Sequence, residues 1–275
     1  MLKLPLSRRL IAYVLLSVIT MFSVLPTVYM LDLSLRNSVQ SFAPVLFAPE
    51  PSLENYSTVL ASANLMRYFF NSLAVALMTV FLTLICSVLA GFAISRLRVR
   101  GGNIVFYMIN SALMVPLASL LIPLTVSLKA VDLLNNYWGL IGPYTAMGIP
   151  FALLVIKGAL DGFPGELEEA AVIDGAMPMS VLFRIIVPVI RPSLLVVAIW
   201  QFLFSWNEFF LALVVMTKNS MKTMPLLPLY YEGSYMTNPG DLFAILTIIS
   251  IVPMIVYVIL QRWFVSGLME GSVKG

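Results

Sequence analysis

The sequence predicts an all-α integral membrane protein. Six transmembrane helices form a single domain over residues 1–275, with a short charged helix outside the bilayer between the fourth and fifth spans. Three observations predict this. The chain is 60% hydrophobic and only 11% charged, where a globular domain carries about 25% charge, so it lacks the polar surface to face water on all sides. Apolar runs of bilayer length, about 20 residues, recur six times. The charged residues gather between those runs and form one dense island. Backbone groups in hydrocarbon must pair within the segment, which makes each run a helix.

The spans are expected at residues 10–31, 69–94, 104–126, 138–156, 189–216 and 242–263. The first follows Arg8-Arg9. Its apolar stretch is longer than a signal-peptide core of about 7–15 residues and lacks a small-residue cleavage site, so it reads as a retained span. The second ends at Arg96, Arg98 and Arg100, a cluster read as a topology and headgroup anchor. It contains Cys86, the only cysteine, which has no disulfide or metal partner set and reads as a small buried hydrophobe. Asn71, Thr79 and Thr83 in this span, and Asn110 and Ser111 in the third, read as interhelical hydrogen-bond partners. The outer segments between spans contain Pro44, Pro49, Pro51, Pro225, Pro228 and Pro239 and read as ordered connections or short surface helices, not separate domains.

Lysine and arginine set the orientation. With both termini inside, Lys3, Arg8, Arg9, Arg96, Arg98, Arg100, Lys157, Arg184, Arg191, Arg262 and Lys274 are cytoplasmic. Only Arg36, Arg67, Lys129, Lys218 and Lys222 lie outside. This orientation puts segment 161–188 in the cytoplasm. The positive charge is spread over loops, so nucleic acid is not an expected partner. The chain has no histidine, no nucleophile–base set and no metal-ligand set, so no chemistry is assigned to it.

Segment 161–188 is the charged island. Pro164 suits a first helical turn. Glu166, Glu168 and Glu169 follow, where carboxylates meet the positive end of a helix. Leu167, Ala170, Ala171 and Asp174 share a face by i, i+3, i+4, i+7 spacing. Gly175 is placed to end the helix in a left-handed turn. The residues alone leave two readings open: a connector helix with solvated charges, or a docking surface with small side chains.

The spacing Glu169-Ala170-Ala171, three residues, Gly175, nine residues, Ile185, one residue, Val187-Pro188 resembles the EAA loop of importer-type ABC transporter permeases. Val187 stands where Leu is more usual. Tyr137-Trp138-Gly139-Leu140-Ile141, Ala198-Ile199-Trp200-Gln201-Phe202, Trp206-Asn207-Glu208-Phe209 and the stretch from Gly267-Leu268 to Gly271-Ser272-Val273-Lys274-Gly275 resemble the shorter, six-span subunit of the maltose-type sugar permeases. The likeness runs from about residue 70 onward. It implies a bacterial or archaeal inner-membrane subunit of a binding-protein-dependent importer for a mono- or oligosaccharide or polyol, working by alternating access. It implies coupling to the ATPase through Glu169, Ala170, Ala171, Asp174 and Gly175, and ATPase contact by the tail residues Val273, Lys274 and Gly275. The implied partners are a second, non-identical permease, two ATPase subunits, an external solute-binding protein and membrane lipid. The sequence has no Gly-x-x-x-x-Gly-Lys-Ser/Thr run, so ATP and Mg are expected on the partner ATPases and the permease itself is not an enzyme. The rival readings are an ion-driven secondary carrier, which wants mid-span charges or inverted repeats, and a non-transporting scaffold.

In the fifth span Gln201, Ser205 and Glu208 follow i, i+4, i+7, with Asn207 alongside. Intramembrane polar groups usually face a bundle interior or a wet path, so these four are candidate pathway-lining residues near the outer boundary. A structural hydrogen bond or helix-end charge is the alternative for Glu208. Trp200 and Trp206 have the shape to stack on sugar rings, with interfacial anchoring or packing as the favoured reading.

Overall fold

The computed structural model describes residues 5–37, 47–48, 50–232 and 238–272, with side chains at all of these except 63, 232 and 262–272. All regular structure among them is helical. In chain order the α-helices are α1 (Leu6–Ser34), α2 (Glu54–Leu60), α3 (Ala63–Ser95), α4 (Gly102–Ser111), α5 (Leu117–Ala130), α6 (Trp138–Asp161), α7 (Gly165–Ile173), α8 (Pro178–Val181), α9 (Val187–Val189), α10 (Arg191–Asn207), α11 (Phe210–Val215), α12 (Leu227–Glu232) and α13 (Pro239–Ser272). A 3-10 turn, Ala112–Met114, extends α4, and a π-helical turn, Leu182–Ile186, joins α8 to α9.

Among the described residues, four helices are long and apolar enough to cross a membrane: α1, α3, α6 and α13. Two bent pairs pass the same test together, which gives up to six spans. The third and fifth spans therefore differ from the straight helices expected. Residues 104–126 fold as α4 and α5, bent by 103°. The cause is Pro116. It pushes Val115 out of the helical region to φ −88°, ψ 116°, as proline does to the residue before it. Residues 189–216 are broken at Glu208 (φ −70°, ψ 120°). Upstream, Pro178–Val189 meets Arg191–Asn207 at 79°. Pro188 and Pro192 each lack the N–H that a continuous helix needs there, and the π-helical turn closes instead with the Val187 amide on the Leu182 carbonyl.

The chain forms two compact units: residues 1–65 with 227–251, and residues 66–226 with 252–275. In the first, a polar clasp follows α1. Asp32 accepts from Arg36 Nε at 2.9 Å and from the Ala48 amide at 2.7 Å. Asn55 donates to the carbonyls of Ser34 (2.8 Å) and Arg36 (2.7 Å) and accepts from Asn238 Nδ2 (2.7 Å). A Cβ at Gly240 would collide with the Asn55 amide, so only glycine lets that backbone pass.

Among the described residues of the second unit, two apolar clusters stand out. One gathers Val88, Phe92, Ile156, Leu160, Ala171, Leu182 and Ile186. The other gathers Val75, Leu140, Tyr144, Leu211 and Val215. Gly91 lets α3 approach α6 closely: a Cβ there would stand 3.2 Å from both Ile156 and Leu160, the small-residue packing typical of membrane helices. Cys86 is exposed on α3, not buried as expected, because it falls on the face of α3 away from α6. Of the expected interhelical polar partners, Asn71 alone reaches beyond its own helix: it donates to the carbonyls of Ser220 and Lys222 and accepts from Tyr137. Thr79, Asn110 and Ser111 bond to carbonyls one turn back in their own helices.

Candidate functional site

Pro164 is the N-cap of α7 (φ −63°, ψ 122°) rather than a first-turn residue. Glu166 and Glu168 occupy the first turn, where the unpaired amides and the helix dipole favour carboxylates. At the other end the Gly175 amide bonds to the Val172 carbonyl (3.0 Å) and the Ala176 amide to the Ala171 carbonyl (2.9 Å). Together these two bonds are a Schellman cap. Gly175 sits at φ +80°, and a Cβ there would meet nothing within 4 Å. The glycine is therefore demanded by the backbone angle, not by crowding within this chain.

The face expected to carry Leu167, Ala170, Ala171 and Asp174 divides. Ala171 turns inward against the Val88–Ile186 cluster, while Leu167, Ala170 and Asp174 are exposed. Large apolar side chains stand out around them: Val172 is 60% exposed, Ile173 85% and Met177 77%. Glu169 is exposed as well. A helix with this much bare apolar surface beside carboxylates suits a protein partner better than bulk water. The tail residues Val273, Lys274 and Gly275 lie outside the described residues.

Arg96 is the site residue that sequence reasoning misplaced. It is not a headgroup anchor. Its Nη2 donates to the carbonyls of Leu160 (2.6 Å) and Phe163 (2.8 Å), pairing groups at the C-terminal end of α6. Its guanidinium lies 5.4 Å from the centre of the Phe163 ring, and its Nε stands 3.5 Å from Glu168 Oε2. Arg98 and Arg100 are exposed. A cleft of about 530 Å³ opens beside α7, lined by Arg96, Arg98, Glu168, Glu169, Val172 and Ile173, among others. The clue in the sequence is the distance of each arginine from the last apolar residue of α3: Arg96 is near enough to fold back on the helix end.

The four candidate pathway residues separate. Gln201, Ser205 and Glu208 are buried within this chain, and Asn207 is exposed. Gln201 Nε2 donates to the Tyr144 carbonyl at 3.1 Å. Gly148 makes room for it, since a Cβ there would run into the Gln201 amide. Glu208 accepts from the Tyr144 hydroxyl (2.6 Å) and from the amides of Leu211 (3.0 Å) and Ala212 (3.2 Å). Its carboxylate thus caps α11 across the break in the span. Trp206 is fully buried, edge-on to Phe69 and stacked on Phe202. Trp200 packs on Phe151 and Phe204, with ring centres 4.4 and 5.7 Å away.

Residues 84–270 match the family model described as binding-protein-dependent transport system inner membrane component. Among curated proteins, the chain is 32% identical to the sulfoquinovosyl glycerol transport system permease protein SmoH of Agrobacterium fabrum, over 94% of this chain and 92% of the relative. It is 28% identical to a probable starch degradation products transport system permease protein, AmyC, of Thermoanaerobacterium thermosulfurigenes, over 94% of each. It is 33% identical to the arabinooligosaccharides transport system permease protein AraQ of Bacillus subtilis, over 82% of this chain and 79% of the relative. A chain from the crystal structure of a bacterial ABC transporter involved in importing the acidic polysaccharide alginate shares the fold, with a TM-score of 0.81 and 20% identity over 96% of this chain and all of that one.

Proposed function

The chain belongs to the family of inner-membrane components of binding-protein-dependent transport systems, and we propose that it is the permease subunit of an ABC importer for a carbohydrate or polyol. The family is one of multi-pass membrane permeases that act with a partner permease, an ATPase and a solute-binding protein. The finer points are our own: a second, non-identical permease completes the path, two ATPase subunits carry ATP and Mg, and both termini and segment 161–188 are cytoplasmic. The carbohydrate class is supported by the three curated relatives, whose named substrates are all sugars or sugar conjugates.

The observation that carries the coupling role is α7 itself. It is a short helix, closed at its C-terminus by Gly175 and anchored inward by Ala171, and it presents bare apolar side chains beside Glu169 and Asp174. These bare apolar side chains lie on a helix too short to cross a membrane, and the patch asks for a protein partner. Glu169, Ala170, Ala171, Asp174 and Gly175 are its centre. Movement of the ATPase pair displaces α7, and the chain's packing passes that displacement to the spans.

The test has two arms. The Gly175→Asp variant should reach the membrane at the parental level and fail to hold the ATPase through purification; normal association would sink the docking role. A strain lacking this chain should lose uptake of one member of a panel of labelled mono- and oligosaccharides and polyols. Unchanged uptake of the whole panel would sink the substrate class.

A further inference from the structure

We propose that Arg96 and Glu168 form the joint that passes displacement of α7 to α3 and α6, which makes Arg96 a positioning residue for transport. This rests on the reading that α7 receives the ATPase.

Three helices meet at one guanidinium. Arg96 directly follows α3. Its Nη2 holds the Leu160 and Phe163 carbonyls at 2.6 and 2.8 Å. Leu160 lies in the last turn of α6, where its carbonyl also accepts from the Phe163 amide (3.0 Å), and Phe163 lies just past the helix end, so arginine ties the end of α6 to the end of α3. The Phe163 ring supports the guanidinium from one side. The remaining face, through Nε, looks at Glu168 on α7, and here the distance is 3.5 Å. The two carbonyl contacts have hydrogen-bond lengths; the carboxylate contact is longer than one. The α3–α6 half of the joint is therefore tight and the α7 half has slack.

That asymmetry is what a transmitting contact needs. The side chains of Arg96 and Glu168 are 16% and 22% exposed, so the pair is shielded from full solvent screening while Glu168 keeps room to move. A shift of α7 toward α3 closes the ion pair into a hydrogen bond, and a shift away opens it. Either way the force falls on a side chain already fixed to two spans. Lysine could not fill this position, because it offers one point charge where arginine offers a planar fork with five donors. Ala171, buried between α7 and the Val88–Ile186 cluster, gives α7 an apolar pivot beside the joint.

The test needs no transported solute. Ala146, exposed on α6, is changed to cysteine in a Cys86→Ser background, and the permease is purified with its ATPase. The rate of labelling by N-ethylmaleimide is then measured with and without Mg-ATP and vanadate. In the parental complex the rate should change at least three-fold on trapping. Glu168→Gln, which keeps the shape of the side chain and removes its charge, should reduce that change to less than 1.5-fold with ATPase association and vanadate trapping intact. Arg96→Lys should do the same and also lower the melting temperature. A parental-sized change in Glu168→Gln overturns the joint, and so does a parental complex whose α6 does not respond. Loss of ATPase association in Glu168→Gln also overturns it, because the carboxylate would then be a docking contact. Failure of the docking reading itself is separate: it shows as a Gly175→Asp variant that keeps its ATPase.

Discussion

At the scale of single residues, Gly148 and Gln201 are two halves of one contact. Hydrogen bonds between membrane helices are worth only about 0.6 kcal/mol on average, so the bond from Gln201 to the Tyr144 carbonyl contributes little by itself. Overpacking costs about 1–3 kcal/mol, and a methyl at 148 would displace a side chain that is fully buried. Gly148→Ala should therefore destabilise the purified chain more than Gln201→Ala does. The double variant should melt near Gln201→Ala, giving a coupling of at least about 1 kcal/mol. Additive melting shifts would mean that the two residues do not share this space. Glu208 follows the same logic with opposite emphasis. Its carboxylate serves three donors. Glu208→Ala strands them and should cost about 1–3 kcal/mol. Glu208→Gln retains an acceptor and should lose less than about 1 kcal/mol of helix-dipole energy. If the glutamine variant keeps its melting temperature while uptake per assembled complex collapses, the carboxylate has a role beyond the cap.

At the scale of elements, α7 allows a separation of backbone strain from contact. A residue with a Cβ at φ +80° is strained by about 1–2 kcal/mol, and within this chain the added atom touches nothing. Gly175→Asn, which tolerates the left-handed region best after glycine, should keep most transport. Gly175→Ala should lose more and Gly175→Val most. If asparagine proves as harmful as valine, size against the ATPase decides and strain does not. This element was legible in the sequence because its signals are local: Gly after the last turn and Glu in the first. The broken spans were less legible. Apolar periodicity counts Val115-Pro116 as two more apolar residues in a run, and nothing in hydropathy says that the proline bends the helix by 103°. The break at Glu208 has no proline to announce it; the carboxylate compensates for a turn that the helix gives up. Arg96 was misread for a different reason. Its partners are carbonyls 64 and 67 residues away, and a backbone carbonyl leaves no mark in a sequence.

At the scale of the whole molecule, the chain shows far more apolar surface than water tolerates. No residue in the most apolar stretch of α1 is buried within the chain, and such surface is stable only against lipid or another apolar helix. The remaining question is which way the chain faces. Of its 16 Lys and Arg residues, the orientation with both termini inside puts 11 in the cytoplasm, and short-loop cations resist translocation. Arg96 weakens its own vote, since it is committed to α6 rather than to headgroups, but Arg98 and Arg100 remain exposed beside it. Two exposed positions test the outcome. Met177 lies just past α7, and Asn219 lies between α11 and α12. Each is changed to cysteine in a Cys86→Ser background, which is needed because Cys86 is itself exposed on α3. In intact cells an impermeant thiol reagent should label Asn219→Cys and leave Met177→Cys unmodified until the membrane is opened. The reverse pattern would put α7 on the side where no ATPase can reach it. Coupling through Glu169, Gly175 and the Arg96–Glu168 joint would fall with it, whatever the local geometry.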